Sequence, residues 1–333
     1  MKSMLRPKSL LALSTPDPTR TFLGVLWESA SFDASEDVDR IYGIRGVSSK
    51  FYRDNIVVDY AIDYERLMRK AITLLINKDR SLNVLCYFHA YTSESSTPST
   101  SWLRDLRRRN PGISPEMYAC DKGRKCNAKI VNNILRTRGV HIGLVAELKT
   151  YSKVTSSEQA SRRLNGRGRL QSDLEEIELL AVTTLERLYP SERPQARDNR
   201  FLEMVAGRKQ QALEQLGQDF SIRWRRHFWK RRIEFEKGMA GVDEWQRFDE
   251  AFSRIFARLI GRSVFTTIEG NLGLGPRDMR KDDLVCVLYG CRLPVVLRKD
   301  NRYFKYIGPA YVDGAMNGEF ARDGEKGDRF WIR

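Results

Sequence analysis

The sequence predicts an α+β protein in three parts: a mixed N-terminal region, a central helical bundle or insertion, and a small antiparallel C-terminal barrel or sheet. Apolar residues recur at helical spacing in the central region. In the last seventy or so residues, short β-prone runs alternate with Gly, Pro, Asn and Asp about every ten residues. The predicted divisions are a mixed α/β region over 1–150, a flexible linker over 151–171, a helical region over 172–261 and a β domain over 262–333.

Composition excludes several classes of protein. The chain has 333 residues, 41% of them hydrophobic and 30% charged, with a net charge of +15. These values exclude a wholly disordered chain, a collagen and a disulfide-rich miniprotein. No apolar run reaches the roughly 18 residues that span a bilayer, and we expect no secretory signal, because the run at Leu10–Leu13 is short. Five cysteines are then expected to be reduced thiols in a cytoplasmic protein.

The first region mixes helix and strand signals. Asp63 is placed to cap a helix, and the apolar residues after it recur every three or four positions. The run Leu82–Phe88 predicts a buried strand, although continuation of the helix stays open. Residues 91–101 have loop composition, and the basic run Arg104–Arg109 favours a solvated loop or helix end. Val140, Ile142 and Leu144 alternate with His141 and Gly143, which predicts a strand with one apolar face.

The central region predicts helices. Ser172 is a plausible N-cap with Glu175 three residues on, and this helix should end before Pro190. Residues 191–199 have loop composition, and further helices are predicted over about 200–216, 220–236 and 243–260, with Gly261 ending the last. In the C-terminal region the six β-prone runs are SVFTTIEGN, LVCVLYG, LPVVLR, YFKYIG, AYVDG and RFWIR.

Common catalytic and cofactor motifs are absent from the sequence. It contains no G-x-S-x-G, H-E-x-x-H or G-x-x-x-x-G-K-[ST]. The segment Gly273-Leu-Gly-Pro276 lacks the third glycine of a dinucleotide loop, so a tight turn between strands is the favoured interpretation. Cys120 and Cys126 flank a turn, but only three histidines accompany them, so we expect no metal and no cofactor. A hydrolase would need clustered titratable groups, and the sequence offers none.

The strongest charge feature is the run 222–232, which reads IRWRRHFWKRR. Arginine pairs with phosphate and aromatic rings stack on bases, so nucleic acid or another anionic surface is one possible partner. Its aromatic residues also fall on helical faces, and a core face with solvated arginines is the favoured interpretation. The candidate polyanion-binding residues are Arg223, Arg225, Arg226, Lys230, Arg231 and Arg232.

Three segments of the sequence carry recognisable phrases: GNLGLGP to PVVLR within residues 270–298, AYVDGAMNGE within residues 303–319, and DVDRIYGIRGVSS at 37–49. The first two resemble phrases in the C-terminal region of fungal heterokaryon-incompatibility proteins, which carry a HET domain. The third resembles a phrase of the same family that follows the HET domain. The matched residues singled out are Asp39, Arg40, Tyr42, Gly273, Gly275, Pro276, Gly314 and Gly318.

The resemblance implies a role in non-self recognition and in cell death after fusion of unlike cells. The phrases of the HET domain itself are not in this sequence, so we expect a shortened family member that acts as an accessory or recognition region. It would act through an unidentified protein partner and without catalysis of its own. The matched residues suit structure: Gly270, Gly273 and Gly275 would permit positive φ in turns, and Pro276 would fix a turn. Asp282 and Asp283 would hold a turn before a strand.

Overall fold

The structure is a computed structural model of the 333-residue chain, and it describes residues 21–30, 32, 34–90, 100–110, 113, 115–150, 166–206, 238, 258–259, 261–322, 324 and 326–333. These residues form helices packed beside a large sheet, part of which closes into a five-stranded barrel. The predicted α+β class is therefore confirmed. No helix among the described residues is long and apolar enough to cross a membrane.

Four helices open the described chain: α1 (Phe22–Ser29), α2 (Asp39–Arg45), α3 (Lys50–Asn55) and α4 (Tyr64–Asp79). The predicted cap of α4 is confirmed, because the Asp63 carboxylate accepts a hydrogen bond from the Arg66 backbone N–H at 3.2 Å. The predicted apolar stripe of α4 is buried, and its members include Leu67, Met68, Ala71, Ile72 and Leu75. This stripe joins the largest hydrophobic cluster of the protein.

The prediction of a strand over Leu82–Phe88 is largely wrong. The segment forms a short helix α5 (Val84–Tyr87) followed by strand β1 (Phe88–Ala90). Every residue of α5 is buried, so no polar face was available to distinguish helix from strand by periodicity. The Asn83 side chain stabilises this site by accepting a hydrogen bond from the Arg292 backbone N–H at 2.9 Å.

The basic run Arg104–Arg109 forms strand β2, which corrects the prediction of a solvated loop or helix end. Strand β2 pairs with β1 in antiparallel register, with Phe88 opposite Arg109 and Ala90 opposite Arg104. The charge of Arg107 is compensated, since it forms an ion pair with Asp105 at 2.9 Å. Buried partners thus allow a charged sequence to form a strand. A single 3₁₀ turn follows at Pro115–Met117.

Strand β4 (Ile134–Thr150) organises the large sheet. It pairs with β3 (Lys129–Val131) and, through its 17 residues, with the strands over Arg262–Thr267, Leu284–Leu288 and Asp328–Ile332. A register shift between His141 and Gly143 puts Leu144 on the opposite face from Val140. Leu144 is consequently exposed while Val140 and Ile142 are buried, so only part of the predicted apolar alternation holds.

The remaining strands complete the sheet, and their bounds are β5 (Arg262–Thr267), β6 (Leu272–Pro276), β7 (Leu284–Leu288), β8 (Val295–Asp300), β9 (Tyr303–Pro309), β10 (Tyr311–Val312) and β11 (Asp328–Ile332). Their order is β10-β6-β5-β4-β11-β9-β8-β7, and the pairing of β4 with β7 closes the barrel. All six predicted C-terminal strands are present. Strand β6 corrects the prediction of a tight turn over Gly273–Pro276.

Among the described residues, two helices lie between β4 and β5: α6 (Gly166–Leu188) and α7 (Pro194–Ala206). Both begin about six residues before their predicted starts. The end of the expected linker is therefore helical from Gly166, and the expected loop over 191–199 is helical from Pro194. Ile177 and Leu185 of α6 are fully buried, and Lys149 of β4 pairs with Glu176 at 3.0 Å. The helices predicted over 220–236 and 243–260 lie outside the described residues.

The sheet combines strands from the first and last predicted domains, because β4 lies within 1–150 and its partners β5, β7 and β11 lie within 262–333. The division at residue 150 therefore follows sequence composition, and the domain boundaries stay predictions. All five cysteines are buried free thiols, as the sequence predicts.

Candidate functional site

The motif residues of helix α2 fix the position of the loop that follows α3. The Tyr60 hydroxyl donates to the Asp39 carboxylate at 2.8 Å, and this hydrogen bond raises the pKa of Tyr60. The Tyr42 hydroxyl donates to the Asp59 carbonyl at 2.9 Å and accepts from the Asp59 backbone N–H at 3.1 Å. The rings of Tyr42 and Tyr60 meet edge to face at 5.5 Å. Asp39 and Tyr42 therefore hold residues 57–60, which we call the apolar loop.

The apolar loop presents hydrophobic side chains to solvent. Val57 is 63% exposed, Val58 is 44% exposed and Tyr60 is 64% exposed, whereas Ile56 just before them is fully buried. Exposed large apolar side chains are ordinary singly, but a group of them on a positioned loop is typical of a contact surface. Sequence reasoning missed this loop, although the run IVVDY at 56–60 with its two adjacent valines was a usable signal.

Arg40, the third motif residue of α2, anchors the chain before the helix. Its guanidinium donates to the Phe32 carbonyl at 2.8 Å and lies 4.0 Å from the Asp37 carboxylate. Asp37 also forms an ion pair with Arg107 of β2. The motif thus links the first helices to the β1–β2 pair, and the contacts of its residues are structural.

Gly273 and Gly275 lie within strand β6, which corrects the expectation that they permit positive φ in turns. A Cβ at Gly273 would lie 2.5 Å from Cζ of Phe265 and 2.6 Å from the Tyr311 carbonyl oxygen. At Gly275 it would lie 2.4 Å from Sδ of Met279. Glycine is needed here for close packing, since a side chain would overlap the neighbouring strand and ring. Gly270, by contrast, has a φ of +98°, as expected for a turn.

Pro276 and the acidic pair after it shape the turn between β6 and β7. Pro276 is the last residue of β6, and its carbonyl accepts from the Met279 backbone N–H at 3.1 Å. The Asp283 carboxylate accepts from the Arg280 backbone N–H at 2.7 Å. It also binds the Arg298 guanidinium at 2.8 and 2.9 Å, and this contact raises the pKa of Arg298. The predicted turn-holding role of Asp283 is confirmed.

Gly314 and Gly318 follow β10 in turns with φ of +74° and +91°, a region that favours glycine. Between β10 and Gly314, Asp313 connects the barrel to the helices. It accepts from the Tyr189 hydroxyl at 2.7 Å and lies 3.5 Å from the Arg200 guanidinium of α7. Burial and then the hydrogen bond to Asp313 raise the pKa of Tyr189.

One exposed face of the sheet carries cations beside aromatic rings. Lys129 of β3 lies opposite Arg136 of β4, which lies opposite Trp331 of β11. Ile332 is paired with Phe304 in parallel register, so Trp331 and Tyr303 share the opposite face. Trp331 is 40% exposed, and neither Lys129 nor Arg136 forms an ion pair within the described part of the chain. We call these four residues the basic–aromatic face.

The candidate polyanion-binding residues Arg223, Arg225, Arg226, Lys230, Arg231 and Arg232 lie outside the described residues. The same is true of His227. The other two histidines occupy different surroundings: His141 lies 3.5 Å from the Asp328 carboxylate, and His89 is on strand β1. Burial first, and then Arg108, Arg262 and Arg104, lower the pKa of His89.

Comparison with known proteins finds a domain family that the C-terminal part of the chain resembles. Residues 199–332 match the family model of the Het-6 beta-barrel domain. This part of the chain is similar to Het-6 β-barrel domains. The match includes β5 to β11, whereas β4, which completes the barrel, precedes it. The resemblance of the sequence to the C-terminal region of fungal HET-family proteins is confirmed.

A curated relative gives the same result. The chain is 33% identical over 90 residues to "Heterokaryon incompatibility protein 6, OR allele" of Neurospora crassa. That segment covers 26% of this chain and 13% of the relative, so most of the relative has no counterpart in the match. No solved structure gives a significant match to the chain.

Proposed function

We propose that the chain is the accessory or recognition region of a heterokaryon-incompatibility protein and acts in the cytoplasm through protein–protein contacts. In this role it contributes to non-self recognition, and so to the cell death that follows fusion of unlike fungal cells. The Het-6 β-barrel domain and the relative named for heterokaryon incompatibility support the coarse role. The apolar loop is the proposed contact surface. This assignment is supported by its geometry, because Asp39 and Tyr42 hold the loop in position while its side chains stay exposed.

The proposal assigns no catalytic step to this chain. Its motif residues are engaged in packing and turns: Gly273 against Phe265, Asp283 with Arg298, and Asp313 with Tyr189. A docking region needs such a stable framework beneath a fixed exposed loop, because a preorganised loop loses less conformational entropy on binding.

The test uses the full chain and substitutes the apolar loop. Proteins recovered with the chain from fused fungal cells are identified, and the affinity of each is then measured with purified components. In the double variant Val57→Ser and Val58→Ser we expect at least a tenfold weaker affinity, about 1.4 kcal/mol, because two exposed valines no longer become buried. The control is Leu179→Ser on α6, which removes a side chain of 66% exposure away from the loop.

Two results would contradict the proposal. One is the absence of any protein whose affinity is specific for the chain. The other is a partner whose affinity is equally reduced by the loop variant and by Leu179→Ser, which would indicate a general loss of solubility. Chemical denaturation of each variant checks that the loop substitutions leave the fold intact, as expected for exposed positions.

A second candidate function is binding of nucleic acid or an anionic surface, which the sequence suggested through residues 222–232. The basic–aromatic face favours it, because cations beside exposed rings suit phosphates and stacked bases. Binding to a single-stranded oligonucleotide and to anionic vesicles, measured by anisotropy and sedimentation, should weaken steeply with salt. Neutralising Arg223, Arg225 and Arg226 should abolish it; salt-independent binding would contradict this function.

A further inference from the structure

Two arginines, one at the start of strand β5 and one just before it, each bury a guanidinium nitrogen that has no hydrogen-bond partner. Arg262 is 7% exposed; its Nη2 donates weakly to Oδ1 of Asn110 at 3.4 Å, and its Nη1 is buried without a hydrogen bond. Nη1 of Arg258, four residues earlier, is also buried without a hydrogen bond. Among the described residues neither arginine forms an ion pair. Such groups are normally paired when they are buried, because desolvation of an unpaired charge is strongly unfavourable.

Other cationic side chains lie close enough to Arg262 to affect the pKa values of this group. Burial and then the nearby Arg258 lower the pKa of Arg262 to about 10, and Arg262 in turn contributes to the lowered pKa of His89 on β1. Arg104 adds charge there, and its Nε and Nη2 donate to the Trp102 carbonyl at 3.2 Å and to the Ser101 carbonyl. The buried nitrogens of this group that have no hydrogen-bond partner are Nη1 of Arg258 and Nη1 of Arg262.

In the part of the chain that the structure describes, no acidic side chain is available to compensate the positive charge of Arg258 and Arg262. Asp105 is the carboxylate that acts on His89, and both its oxygens are held by Arg107 at 2.9 and 3.0 Å. Tyr306 is also close enough to influence Arg262, but burial raises the pKa of its hydroxyl well above the usual value, so it stays neutral. The buried cations Arg104 and Arg262, with Arg258 acting on Arg262 and the exposed His89 on β1, are left without a compensating anion among the described residues.

We propose that Arg258, Arg262 and His89 bind a phosphate group, either as free inorganic phosphate or as the phosphoryl group of a small molecule. Guanidinium groups present parallel N–H donors that match the oxygens of a tetrahedral phosphate, and charge-assisted hydrogen bonds of this kind are short and strong. A dianion would satisfy both free Nη1 atoms and offset the mutual repulsion of the two arginines. These residues are separate from the apolar loop and from residues 222–232, so this site can be tested apart from the proposed function.

The test compares thermal unfolding of the full chain in inorganic phosphate and in chloride at equal ionic strength, with calorimetric titration of phosphate and of ATP. At phosphate about five times its dissociation constant, wild type should unfold about 2 °C higher. Arg262→Met should lose this rise. In phosphate-free buffer the same variant should unfold at the wild-type temperature or above, because it removes an unpaired buried charge.

The matched control is Arg136→Met on the basic–aromatic face, which should keep the phosphate-dependent rise. Binding of ATP without binding of inorganic phosphate, again lost in Arg262→Met, would support the site and identify the phosphoryl group of a nucleotide as its ligand. The proposal is overturned if wild type binds neither probe at millimolar concentration, or if Arg262→Met retains binding. Should Arg262→Met fail to fold, Arg258→Met carries the same expectations, since its side chain is less buried.

Discussion

The guanidinium of Arg104 lies over the ring of Tyr306, with Cζ 4.6 Å from the ring centroid. Arg104 belongs to β2 and Tyr306 to β9 of the barrel, so this contact joins the N-terminal strand pair to the barrel. The Tyr306 hydroxyl also donates to the Leu85 carbonyl of α5 at 3.0 Å. Both side chains are buried, which strengthens a cation–π contact because water does not compete for the charge.

A double-mutant cycle measures this contact. Arg104→Leu, Tyr306→Leu and the double variant should give a coupling free energy of about 2 kcal/mol in urea unfolding. The control cycle uses Arg302 and Tyr303, which stack at 4.9 Å near the surface and should couple by about 0.5–1 kcal/mol or less. Equal coupling in the two cycles would show that burial does not strengthen the buried pair.

Gly273→Ala should destabilise the protein, because the new methyl group would overlap the Phe265 ring and the Tyr311 carbonyl. We expect a loss of about 1–3 kcal/mol in the free energy of unfolding. Gly43→Ala on α2 is the matched control: nothing lies within 4 Å of its added Cβ, so helix propensity should raise stability by about 0.4–1 kcal/mol. A neutral Gly273→Ala would contradict the close packing of β5, β6 and β10.

Stability should fall in acid partly through His89. Burial and the cations Arg108, Arg262 and Arg104 lower its pKa below the 6.5 of an unperturbed histidine, against a smaller opposing effect of Asp105. As the pH falls, His89 is therefore protonated in the unfolded chain before it is protonated in the folded chain. The contribution of neutral His89 to the free energy of unfolding is lost as the pH falls below about 6.5. His89→Gln should flatten the pH dependence of urea unfolding between pH 7 and 5. An unchanged slope would contradict the repulsive surroundings of His89.

Two buried thiols are close enough to be oxidised together. Sγ of Cys86 on α5 lies 3.2 Å from Sγ of Cys291 after β7. The hydrogen bond with Cys86, and then burial, raise the pKa of Cys291, so the native chain should react slowly. Diamide added during partial unfolding should therefore yield a Cys86–Cys291 disulfide as the main product, detected by peptide mass spectrometry. Cys86→Ala should remove that product and Cys126→Ala should not; a mixture of pairings would contradict the expectation.

Some features were predictable because neighbouring residues determine them. Asp63 caps α4 through a hydrogen bond three residues away, and the apolar stripe after it needs only helical spacing. The C-terminal strands were recognisable from alternating β-prone runs and turn residues. The motif at 37–49 contains Asp39 and Tyr42, which support the apolar loop. The motif did not predict that loop, because only the tertiary structure places Tyr60 against both residues.

Other features depend on residues far apart in the chain. Arg104–Arg109 forms a strand because β1 pairs with it and Tyr306 lies under the Arg104 guanidinium, and neither of these contacts can be read from the run itself. Gly273 lies in a strand because Phe265 and Tyr311 occupy the space of a side chain. The cluster of His89, Arg258 and Arg262 brings together positions separated by up to 173 residues, and no spacing rule relates them.

The sequence by itself determined the α+β class, the last β module, the reduced state expected of the cysteines and the resemblance to HET-family proteins. Each of these depends on composition, on short-range periodicity or on a contiguous motif. Only the tertiary structure decided that β4 belongs to the barrel, that the helix α2 motif supports an exposed apolar loop, and that two unpaired arginines meet beside His89. The physical reason is that burial and charge compensation are properties of three-dimensional neighbours, which a linear pattern leaves undetermined.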